Sequence, residues 1–255
     1  MTVRSVQKAI DILIAVAEES GPATLTEIAT KVRIPVATAS RLLHTLTLAS
    51  LLRRDGKGYT LGIRAFEIGK KAEKGLDLIG VSRPHLRSLA DRTGENANLA
   101  VLDGTDVVYL ICEECSRMMR AFTVSGARVS AHATGVGKVL LSGLLDSQIS
   151  RLYEGVPLHK YTSRTVDSLE RLLSEVRLAR QRGYAVDEGE REDGVLCFAA
   201  PVRDYAGRVI AAVSISGPAS RLERRAFESR SMTQDSAAMI SAELGWKEVS
   251  SLAYR

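Results

Sequence analysis

The sequence predicts an α+β protein in two parts, a small winged helix-turn-helix followed by a larger antiparallel α+β domain. Three observations predict it. The first 62 residues read helix, helix, turn, helix, basic hairpin. From Ala97 onward, short extended segments with helices grouped between them take over. The charge divides in the same way: residues 1–75 hold 12 Lys and Arg against 7 Asp and Glu, whereas residues 76–255 hold 23 of each. The net charge of +5 therefore sits in the first third. A basic segment on a neutral body points to a small part that meets a polyanion and a large part with another task.

The first helix spans about Ser5 to Glu19, with Val6, Ile10, Leu13 and Ala17 as its expected inward stripe, and Gly21-Pro22 ends it. Thr24 and Glu27, three residues apart, fit a capping box opening a short helix that buries Leu25, Ile28, Ala29 and Val32. Pro35 separates it from the third helix, which carries "ATASRLLHTL". There Ala39, Leu42, Leu43 and Leu46 recur at helical spacing, so Thr38, Ser40, Arg41, His44 and Thr45 point outward. Such a face is usually only solvated; the order of elements and the local positive charge favour double-stranded DNA instead. Arg41 is the side chain that can fork to guanine O6 and N7. In "RRDGKGYTLG" the turn pairs Asp55-Gly56 and Lys57-Gly58 make a hairpin, and Arg53, Arg54 and Lys57 on it are placed to touch phosphates.

Ile63 to Lys74 reads as a charged linker helix. The boundaries expected are 1–62 for the DNA-binding domain, 63–75 for the linker and 76–255 for the second domain. That domain opens with a helix to about Arg92. Strands follow at Ala97–Leu102 and Val107–Cys112, then Met119–Val124, Tyr184–Glu188, Val195–Val202 and Arg208–Ser216. Helices fall at Gly137–Leu145, Val166–Arg182 and Leu222–Leu244. On Arg208–Ser216, Val209, Ala211, Val213 and Ile215 share a large dry face; Ile210, Ala212, Ser214 and Ser216 share one that ends small and polar. Room beside hydroxyls within an apolar body is how a small polar ligand site looks, although serines facing water on an edge strand would read alike. In "ATGVGK" the amides of Gly135 and Val136 open a helix, where unpaired donors favour an anion such as a carboxylate, and glycines there equally serve close packing.

With 45% hydrophobic and 25% charged residues the composition is that of a soluble globular chain, and no apolar run reaches the length of a membrane helix. The amphipathic start, with Asp11 inside it, is not a signal peptide. Three cysteines form no disulfide framework, so a reducing cytoplasm is expected. Two rival readings compete with ligand binding. A Cys197–His132–Asp187 hydrolase site competes with an inert core thiol, and Cys112-Glu-Glu-Cys115 falls short of the four ligands a structural zinc wants. Neither catalysis nor a cofactor is expected.

Over nearly its whole length the chain resembles the IclR family of bacterial transcription regulators. The resemblance rests on "IPVATASRLLHTL" with "YTLG", on "HATGVGKVLLSGL", and on "GYAVDEGEREDGVLCFAAPVRDYAG", in which Gly183, Asp187, Glu190 and Cys197 stand at the family spacings. Phe198 and Arg203 depart from the usual pattern, as do Val36 and Ala37 in the third helix. The resemblance implies a winged helix on operator DNA, a linker helix and a GAF-like domain binding a small effector, often an organic acid. It also implies a homodimer that pairs into a dimer of dimers. Ser214, Ser216, Asp187 and Cys197 match positions that contact effectors in related regulators. A carboxylate beside Asp187 would set like charges together, which is relieved if the carboxylate meets the Gly135 and Val136 amides while a ligand hydroxyl donates to Asp187.

Overall fold

A computed structural model describes residues 2–19, 21–75 and 78–247. The chain divides into two compact units, Met1–Leu76 and Asp77–Arg255.

In the first unit, α1 (Arg4–Ala17) precedes a two-residue strand β1 (Ala23–Thr24) and α2 (Leu25–Val32). The capping box forms: the Thr24 hydroxyl accepts from the Glu27 amide, and the Glu27 carboxylate accepts from the Thr24 amide at 2.8 Å. Arg33 then turns the chain with φ of 55°, a left-handed conformation that a non-glycine residue seldom adopts, and Pro35 leads into α3 (Val36–Leu48). Strands β2 (Leu52–Asp55) and β3 (Gly58–Leu61) form the hairpin, and β1 pairs with the free side of β3. Sequence periodicity could not disclose a two-residue strand. Ile12, Val16, Ile28, Leu43, Leu46 and Leu52 form the core. The inward stripe expected on α1 is thereby corrected. Ile12, Ala15 and Val16 are buried, while Val6 and Ile10 are about half exposed and Ala17 is exposed. Apolar residues occupy two sides of α1, and periodicity alone could not say which side the other helices cover. Helix α4 (Ile63–Gly75) completes this unit.

The second unit runs α5 (Leu78–Thr93), β4 (Asn96–Asp103), β5 (Asp106–Glu113), β6 (Arg128–Ser130), α6 (Gly135–Leu141), α7 (Asp146–Leu152), α8 (Leu169–Arg182), β7 (Ala185–Glu188), β8 (Val195–Arg203), β9 (Val209–Pro218), α9 (Ala219–Leu222) and α10 (Ala226–Glu243). The six strands form one antiparallel sheet in the order β6-β5-β4-β9-β8-β7. Leu86 and Leu89 of α5 and Ala237 and Ile240 of α10 pack on one face with Leu99, Val213 and Ile215. Val136 and Leu140 of α6 and Leu172 and Val176 of α8 pack on the other with Ala100, Ala199 and Ala212. Alternation along each strand thus feeds two cores. No described helix is long and apolar enough to cross a membrane.

The extended segment expected at Met119–Val124 is not a strand. The Asn96 side chain replaces a ladder there: its Nδ2 donates to the Ala121 carbonyl at 2.8 Å and its Oδ1 accepts from the Cys115 amide at 2.9 Å.

Candidate DNA-binding face and effector cavity

Helix α3 buries Ala39, Leu43 and Leu46, so its polar residues are turned outward by the same period that builds the core. Ser40, Arg41, His44 and Thr45 are exposed and Thr38 is half-buried. The Thr45 hydroxyl donates to the Arg41 carbonyl at 3.0 Å, which occupies its proton within the helix. On the hairpin, Arg53 Nε donates to Thr60 Oγ1 at 3.0 Å and the Arg54 guanidinium lies 5.9 Å from the Tyr59 ring centre. Lys57 stands exposed in the turn between the strands. The unit therefore presents a helix with forked and hydroxyl donors, and separately a basic hairpin.

In the second unit, β9 is central, paired with β4 on one side and β8 on the other, so Ser214 and Ser216 are not on an edge. Both are buried, on the sheet face opposite Val213 and Ile215. Cross-strand register sets Ser216 beside Cys197, and Cys197 beside Asp187. These groups border a cavity of about 260 Å³ whose wall includes Tyr109, Thr134, Asp187, Arg191, Cys197 and Ser216, with Ala121–Val124 also lining it. Two larger hollows, about 390 and 400 Å³, border β7 at Val186 and Glu188 and do not reach the serines.

Burial drives the electrostatics here. It raises the Asp187 carboxyl above the ordinary range, opposed by the Glu190 amide, which donates to Asp187 Oδ1 at 2.7 Å, and by the nearby Lys138 charge. Burial, reinforced by Asp187, also pushes the Cys197 thiol up. Lys138 is only 1% exposed and its ammonium meets Glu190 at 2.5 Å and Glu175 at 3.5 Å. Burial raises Glu190 to about 7 even against that ammonium.

The predicted residues are brought together unequally. Asp187, Cys197 and Ser216 line the cavity, and Ser214 lies one layer behind, linked through Asn98. A Cβ on Gly135 would stand 3.4 Å from the Asp187 nitrogen and 3.5 Å from Cys197 Sγ, so this backbone abuts the cavity wall. The Val136 side chain turns into the core. Gly137 is required by packing, since a Cβ there would fall 2.0 Å from the Ala131 carbonyl oxygen, and its amide is capped by Thr134 Oγ1 at 3.1 Å. Sequence reasoning missed Arg191, Tyr109 and Thr134. Arg191 lay within a quoted stretch, but only folding stacks its guanidinium 3.8 Å from the Tyr161 ring centre and against the cavity.

The rival chemistries are not assembled. His132 Nε2 pairs with the His159 carbonyl oxygen at 2.9 Å, and burial lowers the pKa of its ring. Among the described residues no hydrogen bond joins it to Cys197 or Asp187. Cys112 and Cys115 are free thiols, Cys112 held up to about 11 by burial, and no group of three or more His, Cys, Asp or Glu among the described residues could hold a metal ion.

Residues 5–56 match the family model of the IclR helix-turn-helix domain, and residues 70–242 match that of the bacterial transcriptional regulator IclR C-terminal region. The chain is similar to the HTH-type transcriptional regulator BhcR of Paracoccus denitrificans, with 36% identity over 222 residues, 86% of this chain and 79% of that one. It is similar to the transcriptional repressor IclR of Escherichia coli, with 34% identity over 224 residues, 86% and 82% of the two chains. Among solved structures, the Agobacterium tumefaciens repressor BlcR superposes with a TM-score of 0.75 at 30% identity, covering 96% of this chain and 98% of that chain.

Proposed function

The chain belongs to the IclR family of bacterial transcriptional regulators, and from that premise we propose that its DNA binding is controlled by a small carboxylic acid held in the 260 Å³ cavity. The observation that carries this reading is the composition of the cavity wall. Hydroxyls, the buried Asp187 carboxyl and the Arg191 guanidinium border a space of a size for a few heavy atoms, with Glu192 beside Arg191 and mostly apolar and aromatic groups completing the wall. The acid's carboxylate takes the Arg191 guanidinium and the first-turn amides of Gly135 and Val136, which have no acceptor within their own helix. Asp187 faces the ligand's hydroxyl or hydrated carbonyl, with Ser214, Ser216 and Cys197 fixing orientation. Such a ligand pairs a carboxylate with a nearby donor, as 2-hydroxy and hydrated 2-oxo acids do.

On DNA, Arg41 reads a guanine edge while Thr38, Ser40, His44 and Thr45 line the same face, and Arg53, Arg54 and Lys57 hold phosphates. One short helix reads few bases, so the working form is a homodimer on paired half-sites, itself pairing into a dimer of dimers in the cytoplasm. Val3 at the N-cap of α1 and Val6, Ile10 and Ile14 on it, with Ile63 and Phe66 on α4, are exposed in a single copy and supply apolar surface for that association. Coupling requires only that the acid bind DNA-competent and incompetent arrangements unequally.

The test begins with selection from a random duplex pool, which should enrich a palindromic site. Lactate, pyruvate and propionate are then titrated into the protein and into its complex with that site. Lactate or pyruvate should raise the thermal midpoint and alter retention of the duplex, with propionate much weaker. Binding of no palindrome, or midpoints indifferent to all three acids, would overturn the reading.

A further inference from the structure

Behind the cavity wall lies a polar side chain that neither the sequence patterns nor the cavity lining picks out. Asn98 sits on β4 directly across from Ser214 of β9 and from Cys112 of β5, and it is 1% exposed. Its Nδ2 lies 3.4 Å from Ser214 Oγ and 3.3 Å from Ser216 Oγ, while its Oδ1 has no hydrogen-bond partner. An apolar residue would fill this position without leaving a buried acceptor unpaired, so what the amide adds here lies on its donor side.

Resting on the effector reading of the cavity, we propose that Asn98 is a positioning residue that sets the polarity of the site, selecting ligands that present acceptor oxygens over ligands that present donors. A serine hydroxyl has one proton and two lone pairs. Ser216 Oγ spends a lone pair on the Asn98 amide, and its proton is left to donate into the cavity that Ser216 lines. Ser214 Oγ accepts from the same amide, so its proton likewise is not engaged by Asn98. With the amide reversed, Oδ1 would accept from both serines and their protons would turn away from the ligand. The orientation found makes the floor of the cavity a donor surface toward a carboxylate or carbonyl oxygen, complementing the Arg191 charge at its wall.

Two measurements test this on the full-length protein. In the free wild type, the Asn98 side-chain amide protons should exchange slowly with solvent and shift in Ser216→Ala; unprotected or unmoved signals would overturn the proposal without any ligand. In calorimetry with lactate and pyruvate, Asn98→Ala should weaken binding about tenfold, and Ser216→Ala should add little in that background, because the two act as one unit. Asn98→Asp, nearly identical in shape, should lose at least as much, since its carboxylate recaptures both serine protons. Wild-type affinity in Asn98→Asp, or fully additive losses in the double variant, would overturn the assignment of polarity. If the wild type binds neither lactate nor pyruvate, the effector reading itself fails and this inference falls with it.

Discussion

Replacing Lys138 by Met tests the most heavily buried charge in the second unit. The ammonium is 1% exposed and holds Glu190, itself buried, at 2.5 Å. Removing one partner of such a pair leaves the other charge uncompensated, an effect of about 3–5 kcal/mol. Glu190 can escape only by taking a proton. In the wild type its carboxyl stands at about 7 against an ordinary 4.5, so the folded state holds this proton more tightly than the unfolded chain does. That contribution to stability is fully present below pH 4.5 and is lost as pH rises to about 7. At about 1.4 kcal/mol per pH unit, the wild type should lose about 2 kcal/mol between pH 5.5 and 7 and little more from this group by pH 8. Without the ammonium, Glu190 rises further and keeps its proton through that range, so Lys138→Met should lose about 3 kcal/mol between pH 5.5 and 8. The deficit of the variant should therefore be about 1 kcal/mol larger at pH 8 than at pH 5.5. Urea unfolding followed by Trp246, the single tryptophan and a residue of this unit, measures both. Adding Glu190→Gln should remove the extra slope. A deficit equal at the two pH values, or a wild-type slope that Glu190→Gln leaves unchanged, would refute the reasoning.

Other consequences are measurable in the same way. Arg41→Ala should cost about 1–3 kcal/mol on the selected duplex and relax preference at one base, whereas Lys57→Ala should weaken all duplexes alike and flatten the salt dependence by about one unit; equal losses on selected and random DNA from both would remove the division of labour. Thr24→Ala should destabilise the first unit by about 1 kcal/mol, seen as a lower midpoint in circular dichroism, because it deletes the hydroxyl that accepts from the Glu27 amide. Phe66→Glu should shift the protein toward monomer in analytical ultracentrifugation if the exposed side of α4 is an association surface.

Legibility followed the range of the interactions. Local signals were read well: the Thr24–Glu27 box, the stop at Pro35, the hairpin turn and the two-residue alternation of β9 are encoded within a few neighbours. The inward side of α1 was misread because Val6 and Ile10 are as apolar as Ile12 and Val16, and only the helices packed against them decide. Met119–Val124 reads as a strand in sequence but pairs with none, its Ala121 and Met119 carbonyls being met by the distant side chains of Asn96 and Arg221. The site was partly legible for the same reason. Ser214 and Ser216 announced themselves by alternation, and Asp187 and Cys197 by family spacing, whereas Arg191 and Asn98 join them only through sheet register and loop closure.

The central place of β9 bears on how such a protein diversifies. Its odd-numbered residues, Ala211, Val213 and Ile215, hold one core, and its even-numbered Ser214 and Ser216 lie on the opposite face, where Ser216 lines the cavity. On the effector reading proposed above, substitution on the even register changes what is recognised while the odd register goes on holding the sheet to α5 and α10. Insertion or deletion of a single residue within the strand exchanges the two sets and forfeits both. On that reading, new ligand preferences along this strand are reached by exchanging side chains at constant strand length.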